Sequence, residues 1–315
     1  MQYKGVQFLP VQVLHRCYTS MQTASGNGLE TPERFHPKAA PPSQTDISTI
    51  KTFVAHCKNM MVLSGAGLST ESGVPDYRSK GVGLYDRMNH KPMEHHEFVR
   101  SSASRKKYWA RNYIGWKRLS SLKPNIAHTK LSQLEKDGKI SWHVTQNVDS
   151  LCSKAGSKKL TELHGCVERV TCLSCRNIST RKELQKRFQE NNSTWSANVL
   201  GFGPDADVFI KDEDVTNFHV PACLKCGGVL KPDVTFFGDN VPGHIVEFVY
   251  DKLQKSDGLL VVGSSLQVWS GYRFVSRASH CGIPIAIINI GATRADDITS
   301  VKVNALCTQV LKHIL

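Results

Sequence analysis

A short apolar run, Met60 to Leu63, passes directly into Ser64-Gly65-Ala66-Gly67. A buried strand ending in a glycine turn is how dinucleotide-binding α/β folds begin, because glycine lets the backbone approach a phosphate closely. Further β-rich runs follow at Ile140 to Val144, Gly258 to Val262 and Ile285 to Ile290. Helical patterns separate some of them, notably Ile245, Val246, Val249, Tyr250 and Leu253 behind Pro242. Strands alternating with helices predict an α/β fold with a Rossmann-like, doubly wound parallel sheet. Ahead of the first strand, Ile47, Ile50, Phe53, Val54 and Cys57 recur at helical spacing, with Thr45 or Asp46 placed to cap that helix.

This rhythm fails between Cys166 and Gly228, where two Cys-x-x-Cys pairs stand: Cys172 with Cys175, and Cys223 with Cys226. Four thiolates on two tight turns suit a structural zinc ion, and a closed set of four sulfurs leaves no position for catalysis. Two incidental or redox Cys-x-x-Cys turns are the competing reading. The stretch between the pairs exceeds what a compact ribbon needs and includes Asn191 to Asp214, rich in turn formers and acids. The expected organisation is a Rossmann-like domain over residues 45–165 and 229–315, with a smaller inserted zinc-ribbon module over 166–228 and an accompanying helical segment.

Residues 1–29 hold no acidic residue, while Lys4, His15 and Arg16 punctuate apolar and hydroxyl side chains. That composition predicts a mitochondrial transit peptide over 1–31, followed by a Pro-rich linker over 32–44; a sparsely charged tail is the alternative. The chain carries a net charge of +13, but its basic residues are scattered, so nucleic-acid binding is the minority reading. No apolar run approaches the length of a membrane helix. Ten cysteines would fit a secreted protein, yet four of them in paired turns point to metal in a reducing compartment.

Taken alone the glycine turn is a weak signal, since Thr70 stands where G-x-G-x-x-G has its third glycine. No acidic strand end follows at the spacing a hydride-transfer enzyme uses, and residues 82–89 do not read as a strand. The continuation is more specific: Gly65-Ala-Gly-Leu-Ser-Thr-Glu-Ser-Gly-Val-Pro-Asp-Tyr-Arg78 resembles the signature of the sirtuin family, with Val74 and Tyr77 as mild departures. The resemblance continues in family order through Thr145-Gln-Asn-Val-Asp149, His164-Gly165, both cysteine pairs, Lys231-Pro-Asp-Val-Thr-Phe-Phe-Gly238, Gly263-Ser-Ser-Leu266 and Asn289-Ile-Gly291. Tyr-Trp-Ala-Arg at 108–111 and the long insert resemble a mitochondrial branch of that family.

The resemblance implies NAD as cosubstrate and zinc as structural metal. It implies release of nicotinamide and transfer of an acyl group from protein lysine to ADP-ribose, in the mitochondrial matrix, with mitochondrial enzymes as partners. Cofactor contacts would come from Gly65, Ala66, Gly67, Ser69, Pro75, Asp76, Tyr77 and Arg78, from Gln146, Asn147 and Asp149, and from Gly263, Ser264, Ser265, Asn289, Ile290, Gly291 and Cys307. A helix N-terminus at Ala66 and Gly67 would face the pyrophosphate, and Asn147 would serve catalysis beside nicotinamide. Histidine suits the general base because its ordinary pKa of about 6.5 lets it take a proton near neutrality. His164, at the junction of domain and insert, is the choice over His143, which lies inside a strand.

The segment Asp233 to Gly238 has β propensity, and the resemblance implies that the substrate peptide adds to it as a strand, with Val234, Phe236 and Phe237 around the lysine stem. Asp239 stands where the family often has Glu. Tyr108 and Arg111 lie three apart on a predicted helix, so both could reach an acyl pocket and favour bulky or acidic acyl groups over acetyl. A basic amphipathic helix with Arg111 in water is the plainer alternative. Transfer of ADP-ribose to protein is the enzymatic runner-up, and a zinc-dependent binding module without catalysis is third.

Overall fold

The computed structural model describes residues 36–87 and 91–314; the expected leader lies outside them. Six parallel strands form the main sheet: β1 (Met60–Ser64), β2 (Ile140–Thr145), β3 (Leu160–Glu162), β9 (Gly258–Val262), β10 (Ile285–Ile288) and β11 (Val301–Val303), in the order β11-β10-β9-β1-β2-β3. β1 and β9 are buried along their whole length, as expected of central strands covered on both faces.

Strand alternation explains the two cores. Met60 and Val62 of β1, Leu260 and Val262 of β9, and Ala286 and Ile288 of β10 face one core. Their neighbours Met61, Leu63, Leu259, Val261, Ile285 and Ile287 face the other. The first face is covered by α1 (Gln44–His56), α5 (Ile126–Lys136) and α10 (Cys307–Leu311), the second by α8 (Gly243–Gln254) and α9 (Trp269–His280). Helices on both faces give the doubly wound arrangement. The cap of α1 is Ser43 rather than Thr45 or Asp46; its hydroxyl accepts from the Asp46 N–H while the Asp46 carboxylate accepts from the Ser43 N–H.

The smaller lobe is built on an antiparallel sheet of β4 (Gly165–Cys172), β5 (Ile178–Thr180) and β8 (Leu230–Val234), ordered β5-β4-β8. The stretch between the cysteine pairs adds α7 (Arg181–Asn191) and a hairpin of β6 (Gly201–Phe202) and β7 (Val208–Phe209). Two helices from the chain between β1 and β2, α3 (His95–Arg100) and α4 (Ser102–Ser121), complete this lobe, while α2 (Leu84–Arg87) and α6 (Leu151–Lys154) are single turns. Phe98 and Trp109 from α3 and α4 share one core with Val170, Leu184, Phe188, Phe218 and Leu230. Arg181, 1% exposed, is sandwiched among Trp109, Trp116 and Phe188 and donates to the Asn112 side chain. A buried guanidinium needs such partners, and they lock α7 onto α4.

Candidate active site

Between the two lobes, at the C-terminal ends of β1, β2, β9 and β10, lies a cleft of about 810 Å³. Parallel sheets present ligand-binding groups at this edge. The turns after neighbouring strands β1 and β9 interlock: Gly67 N–H donates to the Gly263 carbonyl at 2.8 Å. A Cβ on Gly65 would meet Ser264 at 2.8 Å, and one on Gly67 would meet the Gly263 oxygen at 2.9 Å. Only glycine allows these turns to close and leave backbone facing the cleft.

The expected helix after Gly67 is instead two short 3₁₀ turns, Ala66–Leu68 and Thr70–Ser72, ended by left-handed Gly73. Leu68 N–H returns to Gly65 and Gly67 N–H is taken by Gly263, so the pyrophosphate contact expected from a helix N-terminus is narrowed toward Ala66.

Most of the expected residues line the cleft: Gly65, Ala66, Gly67, Asp76, Tyr77 and Arg78 after β1, Gln146 and Asn147 after β2, His164 after β3, Gly263, Ser264 and Ser265 after β9, Asn289, Ile290 and Gly291 after β10, and Cys307 at the start of α10. Val234, Phe236 and Phe237 also line it, with the Phe237 ring edge-on to Tyr77. β8 ends at Val234, short of Gly238; Thr235 N–H still donates to the His164 carbonyl in register with β4, and beyond it Phe236 folds against Phe98 and Tyr108.

Other expected residues are set back. Ser69 and Asp149 are buried behind Asn147: Ser69 donates to Asp149 at 2.7 Å, and the Asn147 amide donates to Ser69 at 3.0 Å and to the Gly65 carbonyl at 3.1 Å. Burial pushes the Asp149 carboxyl up, while Ser69 and the Leu151 N–H pull it down. Pro75 likewise stands outside the lining. Tyr108 packs against Phe98, Trp109 and Phe236 and does not line the cleft.

Arg111 does not point into the cleft. Its guanidinium donates to Asp207 and to the Val208 carbonyl, both at 2.6 Å, and lies over Phe209. Buried charge needs a counter-charge, and the insert supplies one.

His164 Nδ1 lies 2.8 Å from the Gln146 carbonyl and Nε2 lies 2.7 Å from the Ser270 hydroxyl. A carbonyl can only accept, so Nδ1 carries the ring proton and Nε2 is the basic atom. Burial lowers the ring's pKa, and the Gln146 bond partly offsets this. His143 is a different case. It sits in β2 against Ser64 at 2.9 Å, outside the cleft, with burial pushing it down to about 4.

Ser270 and Asp205 are cleft residues that sequence reasoning missed. Asp205 comes from the insert in a left-handed conformation, bonds to Tyr77, and is pushed up to about 6 by burial. Pro37 and Lys38, from the expected linker, also join the wall.

The four sulfurs of Cys172, Cys175, Cys223 and Cys226 lie within 4.8 Å of one another. Cys172 and Cys226 are 3.5 Å apart, and Cys175 and Cys223 3.8 Å. A tetrahedron with zinc–sulfur bonds of about 2.3 Å spaces its sulfurs at about 3.8 Å, so this donor set fits zinc. Each pair sits on the same kind of turn, with left-handed Arg176 after one and Gly227 after the other. Gly228 leaves room for Cys172, since a Cβ there would meet that sulfur at 2.9 Å.

A two-lobed molecule with a Rossmann-like sheet, a four-cysteine module and a histidine at their junction defines a class, and the comparisons agree. The sequence model of the Sir2 family matches residues 65–270. The chain is 52% identical over 280 residues to the NAD-dependent protein lipoamidase sirtuin-4, mitochondrial, of Homo sapiens, covering 89% of each. It is 44% identical to the NAD-dependent protein deacylase Sirt4 of Drosophila melanogaster, covering 96% of each. Among solved structures, a Sir2–p53 peptide–NAD+ complex superposes with a TM-score of 0.67 at 27% identity, over 84% of this chain and 95% of that one. The chain belongs to the Sir2 family of sirtuins.

Proposed function

We propose that the protein is an NAD-dependent protein-lysine deacylase that releases nicotinamide and O-acyl-ADP-ribose. The observation that carries this reading is His164: a neutral, oriented base in a cleft that Asn147 and Val234 to Phe237 also line. The glycine turns at 65–67 and 263 leave the backbone room that a dinucleotide needs, so the residues fit NAD. When bound, NAD supplies a pyridinium leaving group on an electrophilic ribose carbon.

The chain does the rest. Asn147, anchored by Gly65 and Ser69, presents an uncharged amide edge to the cleft without adding charge. Val234, Phe236 and Phe237 exclude water from a lysine stem. His164 Nε2 takes the proton of a ribose hydroxyl so that its oxygen can attack the acyl carbon. Phe236, which lines the cleft and is backed by Tyr108 and Phe98, gives an apolar surface that suits bulky apolar acyl groups. An acidic acyl group would have to compete with Asp207 for Arg111.

The human relative is named mitochondrial, and we infer the mitochondrial matrix for this chain, with acyl-lysine proteins there as partners. Among the described residues no helix is long and apolar enough to cross a membrane. Incubation with NAD and a panel of acyl-lysine peptides tests the activity. O-acyl-ADP-ribose among the products supports deacylation, whereas an ADP-ribosylated protein without deacylated peptide would replace this reading with ADP-ribosyl transfer.

A further inference from the structure

We propose that Ser270 is part of the catalytic base, the hydroxyl through which His164 takes the substrate proton. Ser270 lies on the cleft wall as the second residue of α9, and its Oγ is 2.7 Å from His164 Nε2. With Nδ1–H donated to the Gln146 carbonyl, Nε2 has only a lone pair to offer, so the serine hydroxyl is the donor. The basic atom of the ring is therefore capped by Ser270.

The placement is built in rather than incidental. α9 begins against Gln146, and a Cβ at Gly271 would meet the Gln146 carboxamide at 2.5 Å. That carboxamide is itself held, donating to Ser264 at 2.9 Å and to the Ser64 carbonyl at 3.2 Å. One residue, Gln146, thus fixes the Nδ1 edge through its carbonyl and the start of α9 through its side chain. The imidazole is clamped between the two.

A hydroxyl both donates and accepts, which lets it pass a proton on. A ribose hydroxyl entering the cleft donates to Ser270 Oγ. As the ribose oxygen attacks the acyl carbon, its proton moves to Oγ and the serine proton moves to Nε2. Ser270 ends neutral, His164 ends as imidazolium with Nδ1–H still on Gln146, and the new bond between ribose oxygen and acyl carbon is matched by the π pair of the acyl carbon moving onto the lysine nitrogen.

This step rests on the deacylase reading above, and two measurements separate the two claims. In the protein without NAD or peptide, ¹⁵N resonances of the His164 ring report the tautomer and the acceptor bond at Nε2. The expected result is a protonated Nδ1, a bare Nε2, and a change in the Nε2 resonance in Ser270→Ala that Ser270→Thr reverses. A protonated Nε2, or a spectrum indifferent to Ser270→Ala, overturns the proposal whatever the activity. In the NAD-dependent assay, Ser270→Ala should lower deacylation about tenfold or more while acyl-peptide-dependent nicotinamide exchange falls much less, and Ser270→Thr should recover deacylation. Deacylation within about twofold of the parent, or an equal loss of both activities, also overturns it. A parent protein with neither activity would instead defeat the deacylase reading, leaving the ring spectrum to judge the pair.

Discussion

The Gln146 carbonyl, 2.8 Å from Nδ1 of His164, leaves Nε2 as the nitrogen that must be unprotonated for the ring to act. Burial lowers the ring's pKa, so kcat/KM for deacylation should rise with pH through a midpoint below the ordinary histidine value of about 6.5. A rate profile with its lower midpoint at or above that value would contradict the assignment. Two other buried histidines bear on stability. His143 is pushed down to about 4 and His128 to about 3, so both are neutral in the fold while the unfolded chain protonates them below 6.5. Stability is full above that pH and is lost as pH falls toward the depressed values, by about 1.4 kcal/mol per histidine per pH unit. Melting curves should therefore show a shallower acid loss in a His128→Asn, His143→Gln variant; parallel losses would contradict the linkage. Arg111→Met should loosen the β6–β7 hairpin from α4 and weaken acetyl and acidic substrates alike, as read by kcat/KM on both peptides. Selective loss on acidic peptides would show that Arg111 leaves Asp207 to bind substrate. His164 was legible because a histidine in Leu-His-Gly opens the insert. Arg111 was not, because its partner Asp207 lies 96 residues away and nothing local marks the pair.

Each zinc turn takes its shape from its own backbone. Arg176 N–H returns to Cys172, Gly227 N–H returns to Cys223, Cys223 N–H closes its own turn on the Gly228 carbonyl, and the two turns meet through Leu173 N–H on the Val229 carbonyl. The metal closes the lobe that also holds α3 and α4, so Cys172→Ala should release zinc and lower the melting temperature by on the order of 10 °C. Unchanged stability with full metal content would argue against a four-thiolate structural site. The Cys-x-x-Cys spacing and the strand-to-glycine turn were readable because both are local patterns. The contribution of α4 to the small lobe was hidden, since an apolar stripe says that a helix is buried but not which core receives it. The 3₁₀ turns after Gly67 were hidden for a related reason: Gly263, far along the chain, takes the N–H that a helix would have aimed at a ligand.

At the scale of the molecule, alternation of strands and helices was enough to foresee a doubly wound sheet, while the order β11-β10-β9-β1-β2-β3 depends on long-range pairing that no single window contains. That order places the turns after β1 and β9 side by side and sets the junction with the small lobe above them, which is where His164 emerges. Deleting residues 1–31 removes no described element, so the truncated protein should keep its activity in vitro and fail to enter mitochondria in cells; import of the truncated protein would remove the targeting role. In the proposed reaction the cleft couples NAD cleavage to acyl removal through His164. The most direct test counts nicotinamide released against peptide deacylated, by mass spectrometry, in the parent protein and in His164→Phe. The expected result is one nicotinamide per acyl group removed in the parent, and acyl transfer lost by more than about 100-fold in the variant while it stays folded. Deacylation undiminished in His164→Phe, or deacylation without nicotinamide release, would contradict it.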